Sequence, residues 1–220
     1  PRPALRPWVR RYCGYVEYRS DLARRLEVPG SDTVLIINFG APVKVIDPRA
    51  PREAAWHAHF VSGLYDSCVL VESSGPFEGV QVDLAPLGAH RLLGVPMPEV
   101  TNRVVALGDL LGAEADALVQ RLRAARGWPA RFALLDALLT ARLGAAPAPT
   151  PGVSHAWEQL CARRGQVEIG ALARELGWSH RHFIARFRHE IGLPPKTMAR
   201  LLRFQAVVER LQRGSALSWG

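Results

Sequence analysis

A chain of 220 residues of which 48% are hydrophobic is long enough to bury one large core or two small ones. Its 28 Lys+Arg against 20 Asp+Glu leave a net charge of +8, carried almost wholly by arginine, with 26 Arg to 2 Lys. No apolar run could span a bilayer and no secretory signal pattern is present, so a soluble, cytoplasmic protein is expected. Three cysteines, Cys13, Cys68 and Cys161, are odd in number, far apart and without a CxxC pair, which argues against a disulfide framework or a structural zinc site.

The first two thirds of the chain begin with strand signals. Tyr12 to Tyr18 alternates, Thr33 to Phe39 (TVLIINF) is a buried-strand run, and Val43 to Ile46, His59 to Val61, Cys68 to Val71 and Gly79 to Leu84 are short β-prone segments separated by Gly, Pro and Asp. Beyond Pro86 the periodicity turns helical: Leu87 to Leu93, Ala113 to Arg126, then Ala130 to Leu143 with Phe132, Leu135, Leu138 and Leu139 on one side. Strands first and helices after predict an α+β domain over 1–143, an antiparallel sheet or barrel followed by helices. Within it, His57 and His59 beside Trp56 would share one face of a strand at i and i+2, the arrangement that supplies metal ligands in cupin-type barrels. A third ligand is required, and His90 and Glu72 are at no spacing that recommends them, so two polar residues at a strand edge is the favoured reading and no metal site is expected. Cys68 reads as a small core residue, with redox sensing the alternative. Arg91 and Arg103 read as surface charges; Trp56, His57, His59 and Arg91 are the candidate ligand-binding residues if the barrel holds a small effector.

Residues 144–152 (GAAPAPTPG) replace periodicity with small residues and prolines and predict a semi-extended linker. Residues 153–220 have a different character. From Pro151 onward there are 11 Lys+Arg against 5 Asp+Glu, a net of +6, whereas residues 1–150 carry only +2. Ile169, Leu172, Ala173 and Leu176 fall at i, i+3, i+4 and i+7, the stripe of a short helix that Gly177 stops. Ser179 is then a fitting N-cap for a second helix from His180, which buries Phe183, Phe187 and Ile191 and leaves His180, Arg181, Ala185 and Arg188 outward before Gly192 and Pro194 end it. This is a helix-turn-helix pattern whose second helix carries the basic face that a polyanion would meet. A solvated amphipathic hairpin would share the periodicity; the local excess of charge favours nucleic acid. A long helix opening at Pro195, with Met198, Leu201, Leu202, Val208 and Leu211 on its apolar side, completes the chain.

Taken in order, Ile169, Leu172 and Ala173, then Gly177 and Ser179, Phe187, Gly192 and Pro195, and Arg203 resemble the DNA-binding domain of the AraC family of bacterial transcriptional regulators. Phe60 to Leu64 (FVSGL), Pro86 to Pro96 (PLGAHRLLGVP) and Val105 to Gly112 (VALGDLLG) are similar to the N-terminal domain found in a subset of those regulators. The resemblance departs at Met198, where a Tyr is common, and at Ala185, where the recognition helix commonly has an Arg. It implies a DNA-binding set of Ser179, His180, Arg181, His182, Ala185, Arg186, Arg188 and Lys196, with double-stranded DNA as partner. RNA polymerase, a small-molecule effector and a second copy of the chain are the further partners it suggests, and the outcome would be activation or repression. Such regulators carry two helix-turn-helix units; this chain stops at Ser218, Trp219 and Gly220, where the second would begin, so a truncated domain is expected. The reading from a different class is a cupin-like metal-dependent enzyme with a helical accessory domain. No nucleophile–base pair, phosphate loop or complete metal triad supports it, so no catalytic residue and no cofactor is expected.

Overall fold

The computed structural model describes residues 1–215; the expected start of a second helix-turn-helix at Ser218 to Gly220 lies outside the described residues. Seven strands, β1 (Val9–Glu27), β2 (Thr33–Asn38), β3 (Val43–Ile46), β4 (Ala55–His57), β5 (His59–Ser62), β6 (Val69–Leu84) and β7 (Val104–Ala106), form one antiparallel, barrel-like sheet. Helices α1 (Pro86–Leu93), α2 (Leu107–Leu111), α3 (Ala113–Ala124) and α4 (Gly127–Ala145) pack on it, and α5 (Pro151–Ala162), α6 (Ile169–Glu175), α7 (His180–Ile191) and α8 (Pro195–Ser215) come after them. The expected α+β order, strands and then helices, is what the chain adopts.

The sheet is organised around β6. One edge of this 16-residue strand pairs with β1 from Val9↔Leu84 to Glu27↔Val69, and its other edge is shared by β2, opposite residues 79–84, and β3, opposite residues 70–73. The sequence pattern predicts two separate strands here, Cys68 to Val71 and Gly79 to Leu84, with Gly75 and Pro76 as a turn between them. Instead the strand runs through: Gly75 takes φ +80 at a point where the β1 pairing shifts register between Arg19 and Ala23, so an irregularity in the ladder absorbs the turn residues. The carbonyl of Pro76 accepts the Ala41 N–H at 2.8 Å, which makes use of a residue that has no donor of its own.

Side chains alternate across β2, β5 and β6 with period two. Leu35, Ile37, Val61, Val80, Val82 and Leu84 face α1, α3 and α4 and form the larger core with Leu118, Leu122, Leu135 and Leu139. Ile36, Val43, Val45, Phe60 and Val69 face the other way and form a second apolar cluster inside the curve of the sheet. A third core lies beneath α5–α8, where Val153, Trp157, Leu160, Leu172, Phe183, Phe187, Ile191 and Met198 meet. Leu64 and Leu87, from the strand-rich part of the chain, belong to this third core, and Trp8 packs against it, so the apolar contact is continuous across the junction.

The predicted linker needs correction in its extent. Gly144 and Ala145 are the last turn of α4, and Pro151 and Gly152 open α5, where the missing proline N–H costs nothing. Only residues 146–150 connect them, and they are tied down at both ends. The Arg91 guanidinium donates to the carbonyls of Leu143, Ala146 (3.0 Å) and Pro147 (3.2 Å) and lies 4.5 Å over the Trp8 ring, while Thr150 donates its N–H (3.0 Å) and its hydroxyl to Glu190 on α7. Short connections with satisfied carbonyls resist proteases. Arg91→Ala is therefore expected to speed limited proteolysis within residues 146–150 by several fold while leaving strand cleavage unchanged; an unaltered digest would show that this staple does not hold the segment.

Phe187 is fully buried with its ring 5.8 Å from that of Phe183. Phe187→Ala should cost about 3 to 5 kcal/mol through the cavity it leaves. Urea unfolding followed by circular dichroism measures this, and a midpoint equal to the parent's would contradict the packing.

Candidate nucleic-acid interface and barrel cavity

The α6–α7 unit is built by local chemistry at its turn. Gly177 adopts φ +67, its N–H reaching Arg174 O at 3.0 Å and the next N–H, of Trp178, reaching Ala173 O at 2.9 Å, so two of the carbonyls α6 leaves over are satisfied. The Ser179 hydroxyl accepts the His182 N–H at 3.2 Å and caps α7. Phe183, Phe187 and Ile191 point into the core, and His180, Arg181, His182, Ala185, Arg188 and His189 are exposed. Trp178 meets the His182 ring edge-on at 4.9 Å.

The predicted basic residues divide into two groups. Arg181 and Arg188 on α7 and Lys196 on α8 are exposed and make no ion pair among the described residues. Arg186 is spent inward: it donates to Thr150 Oγ1 at 2.6 Å and to Glu190 at 3.3 Å. Glu190, only 2% exposed, is a buried charge that helical periodicity does not reveal; it collects the Thr150 N–H, the Thr150 hydroxyl and Arg186. Arg203 on α8 donates to Gly165 O at 2.7 Å, holding the turn before α6.

The histidine pair does not form a site. A bend at Ala58 puts His57 on β4 and His59 on β5, so the shared strand face expected of i and i+2 does not exist. His57 packs 5.7 Å from the Phe60 ring, whereas His59 lies near Arg123 and Asp116; burial lowers the pKa of both. His90 donates from Nδ1 to Val95 O (3.0 Å), and Glu72 pairs with Arg24 at 2.7 Å. No group of three or more His, Cys, Asp or Glu that could hold a metal occurs among the described residues.

A cavity of about 470 Å³ lies inside the sheet, on the face turned away from α1–α4. Its walls include Val34, Ile36, Val43, Val45, Phe60, Val69, Val71 and Phe77, and its polar lining includes Arg11, Tyr15, Glu17, Arg25, Glu27, Asp32, Ser62, Tyr65, Ser67, Gln81 and Asp83, with Gln205 of α8 at the edge. Trp56, His57, His59 and Arg91, the ligand residues expected from the sequence, do not line it, because the bend at Ala58 and the Arg91 staple carry them elsewhere. The signal that could have found the cavity is the alternation of β1: Arg11, Cys13, Tyr15 and Glu17 all face inward. Three polar atoms of this lining, Tyr15 Oη, Asp32 Oδ1 and Ser67 Oγ, are buried without a hydrogen bond. The Tyr15 ring stacks on Phe77 at 4.5 Å, and burial raises its hydroxyl pKa.

A family model described as a domain of unknown function, DUF6597, matches residues 1–106, just under half of the chain. No curated protein matches. Among solved structures, ToxT from Vibrio cholerae is 10% identical, with 87% of this chain and 98% of that chain covered at a TM-score of 0.30. A ToxT structure from Vibrio cholerae O395 is 9% identical, covering 87% and 97% at 0.29, and one of wild-type ToxT with bound unsaturated fatty acid is 10% identical, covering 87% and 95% at 0.30. Among the described residues no helix is long and apolar enough to cross a membrane.

Burial pushes the Asp32 carboxyl from 3.8 up to about 6, with the Arg10 guanidinium at 3.6 Å lowering it only in part. The folded state therefore holds this proton more tightly than the unfolded chain does. Its stabilising contribution is full below the unfolded value and is lost as the pH rises through about 6. Asp32→Asn should accordingly melt higher than the parent at about pH 8 and lose that advantage at about pH 4. A difference that does not change with pH would show that the carboxyl does not titrate as its burial requires.

Proposed function

We propose that the chain is a sequence-specific DNA-binding transcriptional regulator of the AraC type, with a sensing or dimerisation domain over residues 1–143 and a DNA-binding domain over 153–220. The observation that carries this reading is the face of α7. Its aromatic side is locked in a core, and its opposite side presents Arg181 and Arg188 without acidic partners among the described residues, with Lys196 nearby on α8. An α-helix fits the major groove, and unpaired guanidinium groups give up no ion pair on meeting phosphate or guanine. Ala185 offers a methyl group where a longer side chain could read a base edge, which suits contact with a thymine methyl.

The barrel cavity is of the size that takes a small effector, and Gln205 brings the helix after the DNA-binding hairpin to its rim. On this reading Gln205 is the route by which effector occupancy would act on DNA affinity. The reading needs no enzyme chemistry, no cofactor and no metal. A second copy of the chain and RNA polymerase remain the partners expected of such a regulator.

On a cognate operator selected from random sequence, Arg181→Ala should lose roughly 1 to 3 kcal/mol, with little loss on random duplex, as expected of a base contact. Lys196→Ala should weaken both alike and reduce the log–log salt slope by about 1. Fluorescence anisotropy over a salt series measures these. Equal losses on both duplexes for Arg181→Ala would reduce that residue to a phosphate contact, and the absence of duplex binding by the parent would remove the regulator reading.

A further inference from the structure

The charges that line the barrel cavity are already arranged in pairs. Arg11 is bound to Asp83, which also accepts from Gln81 at 2.6 Å. Arg25 lies 3.7 Å from both Glu17 and Glu27. Arg10, just outside the lining, faces Asp32 at 3.6 Å, beyond hydrogen-bond reach. The lining therefore contributes four carboxylates against two guanidinium groups, and neither guanidinium is without an acidic neighbour. The atoms that lack a hydrogen bond are of another kind: the Tyr15 hydroxyl, the Ser67 hydroxyl and one Asp32 oxygen, all buried and all able to accept, beside walls of Val, Ile and Phe.

Buried acceptors without donors are costly until something supplies a donor. The two hydroxyls can donate or accept, but a carboxylate ligand would bring no donor to Asp32, and it would sit among four acidic groups with no lining cation free of an acidic neighbour among the described residues. A primary ammonium brings three N–H donors and a positive charge to the same place.

We propose that the barrel cavity is a binding site for an amphiphilic amine, an apolar body along Val34, Ile36, Val45, Phe60 and Val69 with its ammonium at Asp32 and Tyr15, and that it discriminates against carboxylates. This rests on the effector-sensing reading above and specifies its ligand class. Asp32 belongs to the loop between β1 and β2, and Gly30 of that loop lines the cavity together with Gln205 of α8.

Three probes with one chain length and three heads test the proposal: n-octylamine, 1-octanol and sodium octanoate, each titrated calorimetrically into the full chain at neutral pH and below its aggregation limit. The expected order is amine, then alcohol, then acid, with the amine binding at least roughly tenfold tighter than the acid. Asp32→Asn should bring amine and alcohol to within about threefold of each other. The conservative Asp32→Glu is expected to retain most of the preference, which separates loss of charge from loss of fold. Octanoate binding as tightly as octylamine, or an amine preference that survives Asp32→Asn intact, would overturn the proposal, as would no binding of any probe. None of these results decides whether α7 binds a duplex, so duplex anisotropy on the same samples shows whether the regulator reading fails with the proposal or stands alone.

Discussion

A carboxylate buried to 2% exposure must collect donors or lose its charge, and Glu190 collects three from two directions. Two come from Thr150, where the connection between the two halves turns into α5. The third comes from Arg186, one turn earlier on α7. The second helix of the hairpin is thus fixed by this side chain to Thr150, at the N-cap of α5. Removing one partner of such a group is far costlier than never having had it, because the charge stays behind without compensation. The orientation in which α7 shows its basic face to solvent depends on this cluster, together with the apolar contact of Leu64 and Leu87 beneath it.

The clasp also explains why arginine count alone is a poor guide to a DNA-binding surface. Arg91, Arg186 and Arg203 bind backbone carbonyls or buried polar groups within the protein, where a planar guanidinium can satisfy two or three acceptors at once. Arg181 and Arg188 have no such partner among the described residues. Position on α7 decides between the two uses: residue 186 lies toward the Glu190 side of the helix, and residues 181 and 188 lie away from it.

The helical hairpin is the part most legible in the sequence, because everything that makes it is local. The stripe from Ile169 to Leu176, the positive-φ glycine at 177 and the cap at Ser179 act within a few residues, and the structure has them as read. Strand segments are legible as runs but not as pairings. Gly75 and Pro76 are turn residues by every local rule, and it is pairing with β1, together with the Ala41 N–H, that carries the chain through them. The same limit hides the cavity. Tyr15, Asp32, Ser67 and Gln205 come together from four separate segments, and Glu190 meets Thr150 at a sequence separation of 40 residues. The His57–His59 pair misleads for the opposite reason: its local spacing is right for one strand, and the bend at Ala58 makes it two.

Alternation along β2, β5 and β6 has a consequence for how such a protein can change. Leu35, Ile37, Val61, Val80, Val82 and Leu84 hold the helices, while their immediate neighbours Val34, Ile36, Phe60, Ser62, Gln81 and Asp83 line the cavity. Because the two sets interleave without sharing a position, a change at an inward residue leaves the helix-facing set in place. Substitutions at the cavity positions would change the shape and charge of what the cavity can hold, and the positions that seat the helices would keep their side chains.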